Sequence, residues 1–218
     1  MASKCLREHL AQADERGLAA SALACLERCL PLISSDAEAL RPLWAGLAKG
    51  AEDWSTGLAK VRDPLMGPLG QGGVNGDGGS REGGSGEGGV RDEGGILVRQ
   101  MLAGAPPVWT AGLLRAWADA CSLAALELHH RFDARSAPPA GTPGAGEADV
   151  AGLLKGCREG DSGGAGPLVN GELRRQIRVL EILAGTEGGV GLRQALVVST
   201  EGQRVLRAVV SRRSRVGR

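Results

Sequence analysis

Four groups of residues have types and spacings that could do chemistry. The first is Ser162 within Gly160-Asp161-Ser162-Gly163-Gly164, a hydroxyl on a glycine-rich turn. To act as a nucleophile it needs a histidine base and an orienting carboxylate, and His129, His130 and Asp133 precede it. The second is Cys25 and Cys29, one helical turn apart, which could hold a metal only with two further ligands, and His9 is the sole candidate in that half. Small core cysteines are the expected reading, and no metal or cofactor is assigned. The third is the stretch from Gly70 to Gly95, half glycine. It could cradle phosphate but has no lysine to complete a P-loop. The fourth is the run Arg204, Arg207, Arg212, Arg213, Arg215 and Arg218, with no carboxylate after Glu201.

The serine segment, followed by Pro167-Leu-Val-Asn-Gly171, resembles the nucleophile segment of trypsin-like serine proteases. That resemblance implies a two-barrel β fold with the base and the aspartate far upstream. Here the histidines stand about 35 residues before Ser162, inside a leucine-alanine helix pattern. No catalytic constellation is therefore assigned, and the chain is read as a non-enzyme, with a serine hydrolase using Ser162 as the remote alternative.

The elements that must position these groups are helical. The chain has 36 glycines, 10 prolines, four tryptophans, one phenylalanine and no tyrosine in 218 residues, which disfavours strands built on aromatic and β-branched side chains. Charges nearly cancel, 26 Lys+Arg against 25 Asp+Glu, so any charged partner must be met by a local cluster. Leu6, Leu10, Leu23, Leu26 and Leu30 fall at helical offsets, with Gly17 as the expected break. Leu40, Trp44, Leu47, Ala51, Trp54, Leu58, Val61 and Leu65 form a four-three stripe, capped by Asp36 and broken at Gly50. Leu114, Trp117, Cys121, Ala124 and Leu128 form another, entered after Pro106-Pro107, with His129 and His130 as its polar end. No apolar run approaches the length of a membrane span, about 20 residues. The odd, scattered cysteines and the absence of an apolar leader segment behind Met1 suit a reducing compartment.

The expected architecture is all-α: helical segments separated by Gly-rich disordered linkers and a small helical bundle at the C-terminus. Its parts are a helical region 1–66, a Gly-rich insert 67–95, a helical region 96–133, a flexible linker 134–170 and a helical segment 171–218. The last is expected to hold three short helices, with Gly188-Gly189 as a turn.

Within that last segment, Val179-Leu-Glu-Ile-Leu183, Ala195-Leu196, Ser199-Thr200, Gly202 and Val205 resemble the N-terminal domain of transcription elongation factor TFIIS, a domain also found in elongin A and in Mediator subunit 26. The resemblance covers residues from about 172 to 218. It implies a leucine helix, a second helix, and a glycine step opening a third helix with a basic end; Gly202 stands at that step, and Arg212-Arg213 near the basic end. Glu201 occupies an otherwise apolar position, and Gly-Gly-Val-Gly replaces the first turn's proline and threonine. The family's closing helix would begin at Arg218, so either the bundle is incomplete or another helix supplies the missing face. What the resemblance implies is a docking module of RNA polymerase II elongation or Mediator, in the nucleus. Its partners would be other transcription-associated proteins, through short acidic-hydrophobic segments. The residues carrying this are Arg204, Arg207, Arg212, Arg213, Leu196 and Val205. The arginines can also touch nucleic-acid phosphates. The alternatives are a general helical scaffold or a subunit of a multiprotein assembly, and a cytoplasmic location.

Overall fold

A computed structural model describes residues 4–67, 88–135, 147–186 and 189–216. Among them there is no strand, and the order is α1 (Leu6–Gln12), α2 (Glu15–Cys29), a 3-10 turn (Leu30–Leu32), α3 (Arg41–Lys49), α4 (Ala51–Met66), α5 (Gly88–Ala103), α6 (Ala111–Ala134), α7 (Glu147–Glu159), α8 (Pro167–Gly185) and α9 (Gly189–Val216). The all-α expectation holds. Among these residues no helix is long and apolar enough to cross a membrane.

Helix α2 is the axis of the fold. Every residue from Gly17 to Cys29 is buried, with α6, α8 and α9 packed along it and α3 and α5 touching its margins. Its composition explains this position: Leu18-Ala-Ala-Ser-Ala-Leu-Ala-Cys-Leu26 is small or apolar on every side, which suits a helix enclosed by others. The helix begins two residues before the expected break at Gly17. Asp14 caps it, its Oδ1 accepting from the Gly17 amide at 2.7 Å, and Gly17 is an ordinary member of the first turn.

The Leu40–Leu65 stripe becomes a helix pair, α3 and α4, with Gly50 between them at φ 113°, a conformation only glycine takes without strain. Leu40, Trp44, Leu47, Trp54, Leu58, Val61 and Leu65 are buried as the spacing predicts, while Ala51 is exposed. Asp36 does not cap α3. Its Oδ1 accepts from the Glu38 amide in the preceding turn, and Leu40 takes the cap position. Trp54 donates through Nε1 to the Pro106 carbonyl at 2.7 Å, and meets Trp109 edge-on and Trp117 at a tilt, each at 5.6 Å between ring centroids. This cluster ties α4 to the loop before α6.

Three segments differ from expectation. Part of the 67–95 insert, residues 68–87, lies outside the described residues, but Gly88 to Gly95 form the start of α5, and Gly94 is buried where its missing side chain lets Leu32 and Leu128 close in. The 134–170 stretch contains α7, whose Leu154 and Cys157 join the core; residues 136–146 lie outside the described residues. After Glu172 there are two helices rather than three. Helix α9 runs without a break through Ser199, Thr200 and Gly202, because the 3.6-residue period of Leu192, Ala195, Ser199, Gln203, Leu206 and Val210 keeps one face against α2 and α8. Helix α8 packs on α2 and α6, and α9 on α2 and α8; Leu192 and Ala195 of α9 join the main core, while Leu206 and Val210 pack with Phe132 of α6 in a second, smaller cluster.

Candidate functional site

Helix α9 has an inner face that rests on buried polar groups and an outer face that meets solvent. Both begin from α2, where Glu27 and Arg28 interrupt an otherwise small, apolar sequence.

Arg28 is 1% exposed and Glu172, on α8, is 0% exposed. Arg28 Nη2 donates to Glu172 Oε1 at 2.6 Å, and its Nε donates to Oε2 at 2.8 Å. Gln176 Nε2 adds a third donor to Glu172 at 2.9 Å, and Ser122 Oγ donates to Gln176 Oε1 at 2.7 Å, which links α8 to α6. His129 stands 3.9 Å from Glu172 through Nε2. Its Nδ1 lies 2.7 Å from the Ala125 carbonyl, which can only accept, so the proton is assigned to Nδ1. Burial alone would raise the Glu172 pKa, but Arg28 outweighs it, aided by His129, and holds the carboxyl below its usual range. His129 is therefore a core residue and not the polar helix end expected of it. His130 points elsewhere, half-buried at the rim of a cleft of about 480 Å³ where Arg131 already binds Glu93 and Glu127.

Glu27 has a different setting. Its Oε2 accepts from Trp44 Nε1 at 3.0 Å and its Oε1 from Gln203 Nε2 at 3.4 Å. Burial raises its pKa to about 7, against the opposing pull of Trp44 and Arg28. A carboxyl protonated more readily in the folded state than in the unfolded one contributes stability that is complete at acid pH. That contribution declines as pH rises from the unfolded value near 4.5 through about 7. Glu27→Gln keeps an acceptor for Trp44 and removes the titration. The variant is expected to be more stable than the wild type at pH 8 by about 3 kcal/mol, at 1.36 kcal/mol per pKa unit, with the gain vanishing near pH 4. Urea unfolding at the two pH values checks this; a constant difference would show that Glu27 does not titrate in this range.

Gly202 is where α9 crosses this layer. A Cβ there would collide with the Arg28 side-chain stem and come within 3.0 Å of the Arg175 Cδ. Glycine in a helix interior costs about 1 kcal/mol relative to alanine, and here it is what lets α9 lie over Arg28.

None of the expected reactive groups is assembled for catalysis among the described residues. Ser162 is exposed on the loop after α7, and no hydrogen bond joins its hydroxyl to a histidine. Asp133 turns both carboxylate oxygens to the α8 amides of Leu168 and Val169 at 3.0–3.1 Å. It supplies the N-terminal cap that Gly166 lacks. The thiols of Cys25, Cys29 and Cys121 are buried and their pKa values raised by that burial, Cys25 to about 12, so they are poor nucleophiles. No group of three or more metal-ligating side chains occurs among the described residues.

On the outer face, Arg204, Arg207 and Arg212 are exposed, and Leu196 and Val205 are half-buried. Arg213 belongs to α9, but its side chain lies outside the described residues. These residues do not form one patch. At about 100° per residue, Leu196 and Val205 stand on opposite flanks of the helix, about 180° apart. Arg207 borders Leu196, whereas Arg212 borders Val205. Sequence reasoning missed Arg193 and Val197. Val197 is 68% exposed, and Arg193 and Arg204 flank it one and two turns away on the same face. The signal was available: valine at 197 is out of phase with the buried positions 192, 195, 199, 203 and 206 of a single continuous helix. Among the described residues no ion pair joins Arg193, Arg204 or Arg207 to a carboxylate. Comparison of the chain with family models, curated proteins and solved structures gives no match.

Proposed function

We propose that the chain is a protein-docking module without catalytic activity, and that the flank of α9 carrying Arg193, Val197, Arg204 and Arg207 binds short acidic-hydrophobic segments. The observation that carries this is Val197, the most exposed of the large apolar side chains among the described residues, set between guanidinium groups that no ion pair among those residues engages, on a helix fixed by its buried inner face. A partner can place an apolar side chain on Val197 and carboxylates on the arginines, which bind them in bidentate fashion. The resemblance to the TFIIS N-terminal domain supports a transcription elongation or Mediator setting for such partners, and a nuclear location. Helix α9 is continuous through Gly202, so the proposed surface is one helix flank.

The test is fluorescence anisotropy with labelled peptides in which aspartate and glutamate alternate with leucine and phenylalanine. Combined Arg193→Glu, Arg204→Glu and Arg207→Glu is expected to weaken binding at least tenfold at low salt, about 1.4 kcal/mol or more. The difference should shrink towards physiological ionic strength, where exposed charges are screened over about 8 Å. Val197→Ser should weaken binding several-fold at every salt concentration, through about 1 kcal/mol of lost apolar contact. Binding that ignores all four substitutions would sink the assignment.

A further inference from the structure

Helix α6 has an outer face unlike that of an ordinary surface helix. Of its first sixteen residues only Arg115 and Asp119 are charged, and both turn aside, Arg115 Nη1 donating to the Leu10 carbonyl at 2.7 Å and Asp119 pairing with Arg158. The solvent face to one side of them is Leu113, Ala116, Ala120 and Leu123, with Leu113 49% exposed and Leu123 37% exposed, and it ends one turn later at Glu127, which is paired with Arg131. A helix facing water normally carries charge there. Their spacing of three, four and three confines these residues to a stripe about 80° wide. The order large-small-small-large is also symmetric about the level of Ala118.

That symmetry identifies the occupant. In a two-fold contact, residue i of one copy meets residue j of the other, and j meets i. Two antiparallel α6 helices related by an axis level with Ala118 bring Leu113 against Leu123 of the second copy and Ala116 against Ala120 of the second copy, in both halves at once. The alanines allow the close approach, about 8 Å between axes, and the leucines close the ends of the seam. A foreign helix places no demand for a palindromic order. An uncharged stripe also meets its own copy without like-charge repulsion. Beside the stripe runs a cleft of about 370 Å³ between α5 and α6, walled by Leu97, Met101, Gly104 and Trp117, open to an apolar side chain from across the axis. We infer that the chain forms an isologous dimer through antiparallel packing of α6 on α6. This interface is independent of the α9 flank.

Analytical ultracentrifugation of the full chain from ~1 to ~200 µM, spanning free energies of roughly 5–8 kcal/mol, tests it. The wild type is expected to pass from one-chain to two-chain mass in that range. Ala116→Lys and Ala120→Glu, each on the exposed face and each leaving the far-UV circular dichroism unchanged, should singly weaken dimerisation at least tenfold. An equimolar mixture of the two variants should recover a two-chain species, because the substituted position 116 of one chain faces the substituted position 120 of the other. A wild type that stays monomeric throughout would leave the stripe to a foreign helix and overturn the proposal. Dimerisation unaffected by either substitution, or a mixture that stays monomeric, would overturn the α6 seam and its register.

Discussion

Glu172→Leu is expected to lower the unfolding free energy by about 3–5 kcal/mol, the usual cost of removing one member of a buried ion pair. Arg28 would remain fully enclosed among α2, α8 and α9 with no carboxylate to meet its Nε and Nη2, and Gln176 Nε2 would keep only the Ser122 carbonyl, at 3.3 Å, as an acceptor. In the wild type Glu172 outweighs burial and raises the Arg28 pKa; in the variant burial works against the charge without that support, yet a guanidinium is too basic to lose its proton, so the charge stays buried. The pair itself is a different matter. Nη1 of Arg28 is buried without a hydrogen-bond partner, so the desolvation of the guanidinium is incompletely offset even in the wild type. The double variant Arg28→Met, Glu172→Leu should therefore recover most of the loss, and can equal the wild type. The pH dependence separates the two buried carboxyls. Glu172, with its folded pKa below the unfolded one, contributes stability that is present above about pH 4.5 and is lost as pH falls through its folded value. Glu27 has the opposite sign. Denaturant titrations of the single and double variants at pH 7 and pH 4 measure both effects. A single variant within about 1 kcal/mol of the wild type would show that water reaches Arg28, and that the site is not the sealed cluster described.

The buried ion pair also shows where sequence reading runs out. Arg28 and Glu172 are 144 residues apart, and each taken alone looks like a charge on the polar side of a helix. Only the enclosure of α2 on all sides makes them interior residues. For the same reason α2 has no single apolar stripe to find, and its small residues report a crowded axis that periodicity cannot distinguish from a loosely patterned helix. The α3–α4 pair was legible because each of its helices buries one face only, so the four-three spacing maps directly onto burial. Helix α7 was hidden by its glycines and by the neighbouring prolines. What orders it is contact, with Leu154 and Cys157 packed in the core and Arg158 paired to Asp119 of α6, none of which composition can foresee. At the candidate site the arginines after Glu201 stood out as charge, but their division between two flanks depended on α9 being continuous. The glycine that suggested a break at 202 answers instead to the close passage of Arg28.

Trp54→Ala is expected to cost about 3–5 kcal/mol, the range for removing a buried aromatic side chain and leaving a cavity only partly closed by relaxation. Trp54 is fully buried, and its position makes the loss one of tertiary connection as well as of volume. Its ring packs against both Trp109 and Trp117, and its Nε1 is the donor to the Pro106 carbonyl in the turn that delivers the chain into α6. Arg62, two turns further along α4, reinforces the same junction by donating to the Ala105 carbonyl at 2.6 Å. Truncation at 54 therefore leaves the Pro106 carbonyl without its donor and Trp117 without one of its two anchors, the other being its own Nε1 donated to Met101. Trp54→Phe separates the contributions. It retains most of the apolar area and the aromatic packing, and should cost only about 1–2 kcal/mol, near the value of one net hydrogen bond plus a small void. Thermal unfolding followed by tryptophan fluorescence reads both variants, since Trp109 and Trp117 remain as reporters of the same cluster. If α4 docks as described, Trp54→Ala should also shift their emission to longer wavelength in the folded protein, as water gains access to the two remaining rings. An alanine variant as stable as the phenylalanine one would show that the α3–α4 pair is held by the Leu58, Val61 and Leu65 side of α4, and that the tryptophan cluster is not its main attachment.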